Sequence, residues 1–389
     1  MSPYRIPYGR QSIDQADIDA VVEVLKSPWL TQGPTIERFE RALAEYCQAE
    51  HAVAVCNATA ALHIACLAAD LGPGDWLWTS PNTFVASANC ARYCGAQVDF
   101  VDIDPRTLNM DAQLLARKLE AAERAGTLPK VVVAVAFAGQ SADLQAIARL
   151  AERYRFLLIE DAAHAVGASY MGRPVGCGAY AAMTIFSFHP VKIITSAEGG
   201  MVLTNRQDLA ERLRRLRSHG ITSDPAAMQV VEKGLWYYQQ LELGFNYRMT
   251  DLHAALGLSQ VARLDEFVTR RRKLAARYQE LLAGLPLILP VAQDGAESAW
   301  HLYVVRLDLA RIRLSQAQVF EALRAAGLGV NLHYIPVHLQ PYYQELGFAA
   351  GDFPEAERYF LEALSLPLFP ELSEELQDEV VGHLRRILD

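Results

Sequence analysis

Uninterrupted apolar runs alternate along the chain with stretches whose apolar positions recur every three to four residues. The short runs are HAVAVC (51–56), WLWTS (76–80), VDFVDI (98–103), VVVAVAF (131–137), FLLIED (156–161), MTIFSF (183–188) and GMVLTN (200–205). Each has strand length and lacks the strict alternation of a half-exposed strand. Such runs suit strands buried on both faces. Between them the helical period predicts helices over 14–26, 35–48, from about 59, and over 83–94, 111–125 and 143–154. This β/α alternation predicts an α/β fold with a mostly parallel central sheet covered by helices.

The texture changes near residue 250. One long helical stretch is expected over 251–284, then a strand in HLYVVRLDL (301–309) and a helix over 315–326. Pro-rich segments at 335–341 and 365–370 read as loops. The expected organisation is a large domain with an N-terminal arm (1–250) and a smaller C-terminal α+β domain (251–389). No flexible linker separates them, so rigid packing is expected.

Bulk properties change this picture little. A chain of 389 residues accommodates two domains, and 51% hydrophobic with 21% charged residues is an ordinary globular balance. A net charge of −9 argues against a general nucleic-acid-binding surface. The N-terminal MSPYRIPYGRQSIDQ has no apolar core of a secretory signal. The most apolar run, 130–138, is far too short to span a bilayer. A cytoplasmic protein without a membrane segment is expected. The six cysteines, Cys47, Cys56, Cys66, Cys90, Cys94 and Cys177, show no zinc spacing, so they read as buried reduced thiols and no metal is expected.

Candidate chemistry begins with lysine. There are six, Lys26, Lys118, Lys130, Lys192, Lys233 and Lys273, against 30 arginines. A Schiff-base nucleophile has to be lysine, because a desolvated amine loses its proton and a guanidinium does not. Lys26, Lys118 and Lys273 lie on charged helical stretches and read as solvated; Lys130 and Lys233 lie in polar turns. Lys192 follows an apolar strand with apolar neighbours on both sides. It reads as a nucleophile or as a lysine snorkelling from a strand end.

FLLIEDAAHAVGA ends a buried strand on an acidic pair, followed by a helix-like stretch. Ligands gather at the carboxyl ends of parallel strands. A carboxylate there can keep the ring nitrogen of pyridoxal phosphate (PLP) protonated. Asp161 is the better candidate, since Glu160 points to the other face; capping of a following helix is the alternative. In VAVCNATAALHIA a strand runs into a helix N-terminus, where free N–H groups and the dipole favour phosphate. Thr59 and Ala60 would supply N–H groups, with Asn57 or Thr59 as a plain cap explaining the pattern equally well. Ser187 adds a hydroxyl five residues before Lys192.

WLTQGP (29–34), NATAAL (57–62), SPNTFVAS (80–87), FVDID (100–104), EDAAHAVGA (160–168), SFHPVKIITSAEGG (187–200), LGFNYRMTDLHAALG (243–257) and HYIPVHLQPYY (333–343) together resemble the DegT/StrS nucleotide-sugar aminotransferases. These belong to the fold-type I, aspartate aminotransferase-like PLP-dependent transferases. IPYGRQSI, LKSPWLTQGP, GLWYYQQ and NLHYIPVHLQPYY look most like the C4 aminotransferases of the pseudaminic acid pathway.

The resemblance implies a homodimer with shared active sites. It also implies PLP passing through pyridoxamine phosphate, L-glutamate as donor, and a UDP-linked 2-acetamido-2,6-dideoxy-4-keto-hexose as acceptor. It implies that Lys192 carries the cofactor and Asp161 pairs with its ring nitrogen. His164 lies near the phenolic oxygen and Phe84 stacks on the ring. Thr59, Ala60 and Ser187 bind the phosphate, and Asn246 reaches it from the partner subunit. Trp29, Thr31, His333 and Tyr334 are the implied sugar contacts, with loop packing as the other reading. His338 and Tyr342 read as packing for the same loop, and Tyr237, Tyr238 and Gln239 as lining for the partner side. Phe137 stands where some relatives carry His and receives no role, and NAT in place of Ser-Gly-Thr leaves Asn57 without one. A lysine at 192 favours amino transfer over the dehydrating branch, which carries histidine there. Another 4-keto sugar such as UDP-4-keto-arabinose, or a non-catalytic regulatory protein on this fold, are the alternatives.

Overall fold

The computed structural model describes residues 4–229, 234 and 236–388; Lys233, expected in a polar turn, lies outside them. A seven-stranded sheet is built from β1 (His51–Val55), β2 (Trp76–Thr79), β3 (Gln97–Phe100), β4 (Val131–Val135), β5 (Leu157–Asp161), β6 (Met183–Ser187) and β7 (Gly200–Thr204). Their spatial order is β1-β7-β6-β5-β4-β2-β3. β7 runs antiparallel to both its neighbours, while β2 through β6 pair in parallel. The mostly parallel sheet expected from the apolar runs is therefore present. The strands are buried along nearly their whole length, because helices cover both faces and no solvated face demands polar alternation.

The helices begin where their caps place them. α1 (Gln15–Lys26) starts on a reciprocal capping box between Asp14 and Asp17. α2 (Pro34–Cys47) has Gly33 at its N-cap, so no side chain of its own accepts its first N–H groups. Asp251 does so instead from far along the chain, accepting from the N–H of Gly33 at 2.7 Å and of Thr35 at 3.0 Å. α3 (Ala58–Ala68) is capped by Asn57, whose side chain accepts from Ala60. α4 (Ala86–Tyr93) follows a turn rather than starting at 83. α5 (Ala112–Ala125), α6 (Leu144–Tyr154) and α7 (Gln207–Leu216) complete the cover.

The stretch expected as one helix over 251–284 is two, α8 (Asp251–Val261) and α9 (Leu264–Leu281). Periodicity survives the break at Ala262–Arg263, which is why the sequence pattern hides it. α8 and the start of α9 share a core with α2, where Ala254, Leu264, Phe267 and Val268 meet Phe39 and Leu43. Gly257 lies so close to Phe39 that a Cβ there would stand 2.7 Å from its ring. Further on, β8 (Leu287–Ile288), β9 (Tyr303–Leu307) and β10 (Ala363–Leu366) form an antiparallel sheet around a separate apolar core. β10 corrects the expectation of a loop throughout 365–370: Ser365 and Leu366 pair with Val304 and Tyr303 before the prolines end the strand. The N-terminal residues Ile6–Pro7 pair with Leu328–Gly329 in a separate two-stranded sheet, and Ile6 and Leu328 join this second core, which ties the arm to it.

Two further expectations are corrected. No helix follows FLLIED; residues 162–168 form turns, so Asp161 caps no helix and accepts instead from the N–H of Ala163. Lys118 is half-buried rather than free in solvent, its ammonium donating to the Phe100 carbonyl at 2.6 Å and pairing with Asp99 at 2.7 Å. No helix among the described residues is long and apolar enough to cross a membrane, and no cluster among them is arranged to hold a metal ion.

Candidate active site

The carboxyl ends of β1, β5 and β6 open on one cavity of about 640 Å³. This is where a parallel sheet leaves backbone groups and loops free to meet a ligand. Gly200, the first residue of β7, sits between Val55 and Ser187 in register. A Cβ at Gly200 would stand 2.5 Å from the Asn57 carbonyl carbon and 2.6 Å from the Ala58 nitrogen. The glycine lets the strand pass directly under the start of α3.

Asp161 ends β5 and is 6% exposed. Its Oδ2 accepts from the Ser87 hydroxyl at 2.6 Å, and Ser87 is itself 2.8 Å from the Thr83 hydroxyl. Burial pushes the Asp161 carboxyl up, while Ser87, the Ala163 N–H and the charge of Lys192 draw it back. Lys192 lies in the turn after β6, its N–H donating to the His189 carbonyl at 2.9 Å. Burial draws its amine down to about 8, against the pull of Asp161. Lys118 and Lys130 have their ammonium groups engaged by carboxylates and carbonyls. Among the described residues, Lys192 is the lysine that lines the cavity.

Four histidines, His164, His189, His301 and His333, line the same space. The His164 Nε2 lies 3.1 Å from the Tyr334 hydroxyl, and its buried Nδ1 has no partner among the described residues. Burial and the charges of Lys192 and His333 hold His164 well below the usual imidazole range. His301 stands 4.4 Å from His164 between ring centroids and is held neutral by burial in the same way. The Asn331 amide faces His333 Nε2 at 3.2 Å, and Ser365 Oγ lies 2.7 Å from Nδ1. An amide N–H makes Nε2 the acceptor, so Nδ1–H donates to Ser365. Burial and Lys192 draw His333 down to about 3, in keeping with that neutral ring.

Thr59, Phe84, Ser187 and Tyr334 also line the cavity. Phe84 is exposed toward it, its ring 6.1 Å from that of Tyr334. Ala60 does not line it, and its N–H is taken by the Asn57 side chain at 2.9 Å. Asn57 is thus the cap of α3, and Ala60 as an anion donor is corrected: the helix offers the N–H groups of Ala58 and Thr59. Trp29, Thr31 and Asn246 lie outside the cavity of their own chain. Thr31 bridges Thr250, Asn246 bridges Ser218, and Trp29 is half exposed. Tyr237, Tyr238 and Gln239 are outside it as well. His338 is fully buried against Glu357 at 2.9 Å, and Tyr342 receives a hydrogen bond from Arg92, so both pack their loop.

Several lining residues escaped the sequence reading: Tyr8, Thr83, Ser87, Asn331 and His301. Thr83 and Ser87 lie within the SPNTFVAS segment, where only Phe84 drew attention. Tyr8 and Asn331 come from opposite ends of the chain, and no spacing connects them. His301 sits just before an apolar strand and gives no local signal.

These residues fit PLP. The site has an amine with a lowered proton affinity, a buried carboxylate, hydroxyls of Thr59 and Ser187 at a helix N-terminus, an exposed aromatic face, and an unpartnered imidazole nitrogen.

Comparison with known proteins agrees. Residues 11–385 match the DegT/DnrJ/EryC1/StrS aminotransferase family. The chain is 41% identical over 386 residues to the spore coat polysaccharide biosynthesis protein SpsC of Bacillus subtilis, covering 98% of this chain and 97% of that protein. Spr1654 from Streptococcus pneumoniae in its PMP form superposes with a TM-score of 0.89 at 31% identity, covering 98% and 99% of the two chains. Helicobacter pylori PseC, an aminotransferase involved in the biosynthesis of pseudoaminic acid, superposes with a TM-score of 0.88 at 28% identity over 98% and 99%.

Proposed function

Because the chain belongs to the DegT/DnrJ/EryC1/StrS aminotransferase family and is a PLP-dependent sugar aminotransferase, we propose that it moves an amino group from L-glutamate to the C4 ketone of a UDP-linked 2-acetamido-2,6-dideoxy-4-keto-hexose. The observation that carries the amino-transfer chemistry is the convergence of Lys192, Asp161 and His164 on one cavity at the strand ends. The structural likeness to PseC supports the sugar.

In this reading Lys192 would hold the cofactor, with Asp161 serving its ring nitrogen, Phe84 its ring and His164 its phenolic oxygen. Thr59, Ser187 and the first N–H groups of α3 would hold the phosphate. When bound, PLP supplies an electron sink and carries the amino group between the two half-reactions. Lys192 Nζ, once free, takes a proton at the donor's Cα and returns it, and reverses this for the sugar. A proton affinity near neutrality suits both directions. Asp161 keeps a negative charge beside the ring nitrogen, and its hydrogen bonds from Ser87 and Ala163 oppose neutralisation by burial. His333 and Tyr334 bound the side where the sugar enters.

Asn246, Trp29, Thr31 and the 237–239 segment serve a homodimer in which each subunit completes the other's site. Their place outside the cavity of their own chain supports that role. The enzyme works in the cytoplasm, where nucleotide sugars are made. The test is mass spectrometry of the product from the UDP-4-keto sugar, PLP and glutamate. The proposal requires the 4-amino sugar with glutamate consumed; conversion of UDP-4-keto-arabinose alone would reject the hexose assignment.

A further inference from the structure

α9 carries a buried charge that amino transfer does not use. Arg271 is 1% exposed, and no carboxylate among the described residues pairs with it. Its Nη1 donates instead into a cradle of three carbonyls, those of Trp300 at 3.2 Å, His301 at 3.3 Å and Leu368 at 2.9 Å. Its buried Nε has no partner among the described residues. Burial draws the guanidinium down to about 9, so it stays charged at neutral pH. A buried cation without a counter-ion is costly, and packing alone is better served by an apolar side chain. The three carbonyls lead to two walls of the active-site cavity. His301 lines the cavity, its ring 4.4 Å from that of His164. Trp300, just before it, holds φ at 51°, in the left-handed region that a bulky side chain disfavours. A Cβ at Gly139 would stand 2.8 Å from the nitrogens of both Trp300 and His301, so this segment is pressed against its neighbour. Leu368 leads to the second wall. Its N–H donates to the Tyr8 carbonyl at 2.9 Å, and Tyr8 lines the cavity with its ring 5.3 Å from that of His333.

We propose that Arg271 is a positioning residue that holds His301 against His164 on one wall and Tyr8 beside His333 on the other. The role rests on the reading that His164 serves the phenolic oxygen of PLP. A guanidinium suits it because a planar fork of donors fixes the carbonyls it meets, whereas an ammonium on a flexible stem does not. The clamp on the Trp300 and His301 carbonyls sets the ring that packs on His164. The clamp on Leu368 passes through one backbone hydrogen bond to Tyr8. One side chain thereby ties the N-terminal arm, the segment before β9 and the segment after β10 to α9, and it does not itself line the cavity.

The test titrates the visible absorbance of the PLP-loaded protein against pH, which needs no substrate and so stands apart from the sugar assignment. His164→Ala sets the reference shift in the midpoint of that titration. Arg271→Lys and His301→Ala should each move the midpoint in the same direction by less. Arg271→Lys should also raise KM several-fold for the 4-keto sugar that the enzyme converts, through the Tyr8 wall. The proposal is overturned if His164→Ala moves the midpoint while Arg271→Lys or His301→Ala leaves it in place, or if KM is unchanged in Arg271→Lys. An unmoved midpoint in all three variants overturns it together with the role of His164. Should Arg271→Lys fail to fold, His301→Ala, which leaves the guanidinium untouched, decides by its own midpoint.

Discussion

Glu160 and Asp161 are neighbours at the end of one strand, both buried, and the two faces of the sheet give them different lives. Asp161 opens on the large cavity with Lys192, and its oxygens accept from Ser87 and Ala163. Glu160 faces a small pocket of about 20 Å³, where it accepts from Ser141 at 2.7 Å and from Thr184 at 3.4 Å. Burial, with the charge of Asp161 adding to it, pushes the Glu160 carboxyl up to about 7 against the hydrogen bonds from Ser141 and Thr184. The same burial acts on Asp161, but Lys192 opposes it. A buried carboxylate thus becomes chemical machinery through its partner and its access to a ligand, and is otherwise a structural hydrogen-bonding group.

Substitutions sharpen this contrast. Lys192→Ala should give the largest effect, abolishing turnover and the visible absorbance of bound PLP; a positioned base alone is worth roughly 10²–10⁴-fold. Asp161→Asn should lower kcat by roughly 10²-fold while PLP still binds, read by steady-state kinetics beside an absorbance titration. Ser87→Ala should act in the same direction by less, since it removes one hydrogen bond worth about 1 kcal/mol. Normal kcat in both Asp161→Asn and Ser87→Ala would dissolve the distinction between the faces.

Glu160→Gln should leave kcat within a few-fold and register in stability instead. A folded pKa raised from 4.5 to about 7 means the folded state binds more protons than the unfolded between those values. Stability is therefore fully present below about pH 4.5 and falls as pH rises through 7. Urea unfolding across that window should show the decline in the unsubstituted protein and a flatter profile in Glu160→Gln. The smallest effect concerns the apoprotein: PLP uptake should quicken with pH until about 8 and then level off, as the Lys192 amine loses its proton.

Much of the sheet was legible because a strand buried on both faces writes itself as an unbroken apolar run. The acidic pair, the lysine after β6 and the strand-to-helix step at Asn57 were legible for a related reason, since each follows such a run. What stayed hidden depends on contacts distant in sequence. Asp251 caps α2 from 216 and more residues away. Tyr8 and Asn331 reach the cavity from opposite ends of the chain. The break between α8 and α9 leaves the apolar period intact, and Ala60 looked like an anion donor until Asn57 was seen to take its N–H. Small residues in EDAAHAVGA suggested a helix, yet the chain turns there to carry His164 under Tyr334.

The most direct measurement is borohydride reduction of the PLP-loaded protein followed by peptide mapping. A Schiff base at Lys192 requires the phosphopyridoxyl group on that residue. Its appearance on Lys118, Lys130 or another lysine, or the absence of any covalent label, would contradict it.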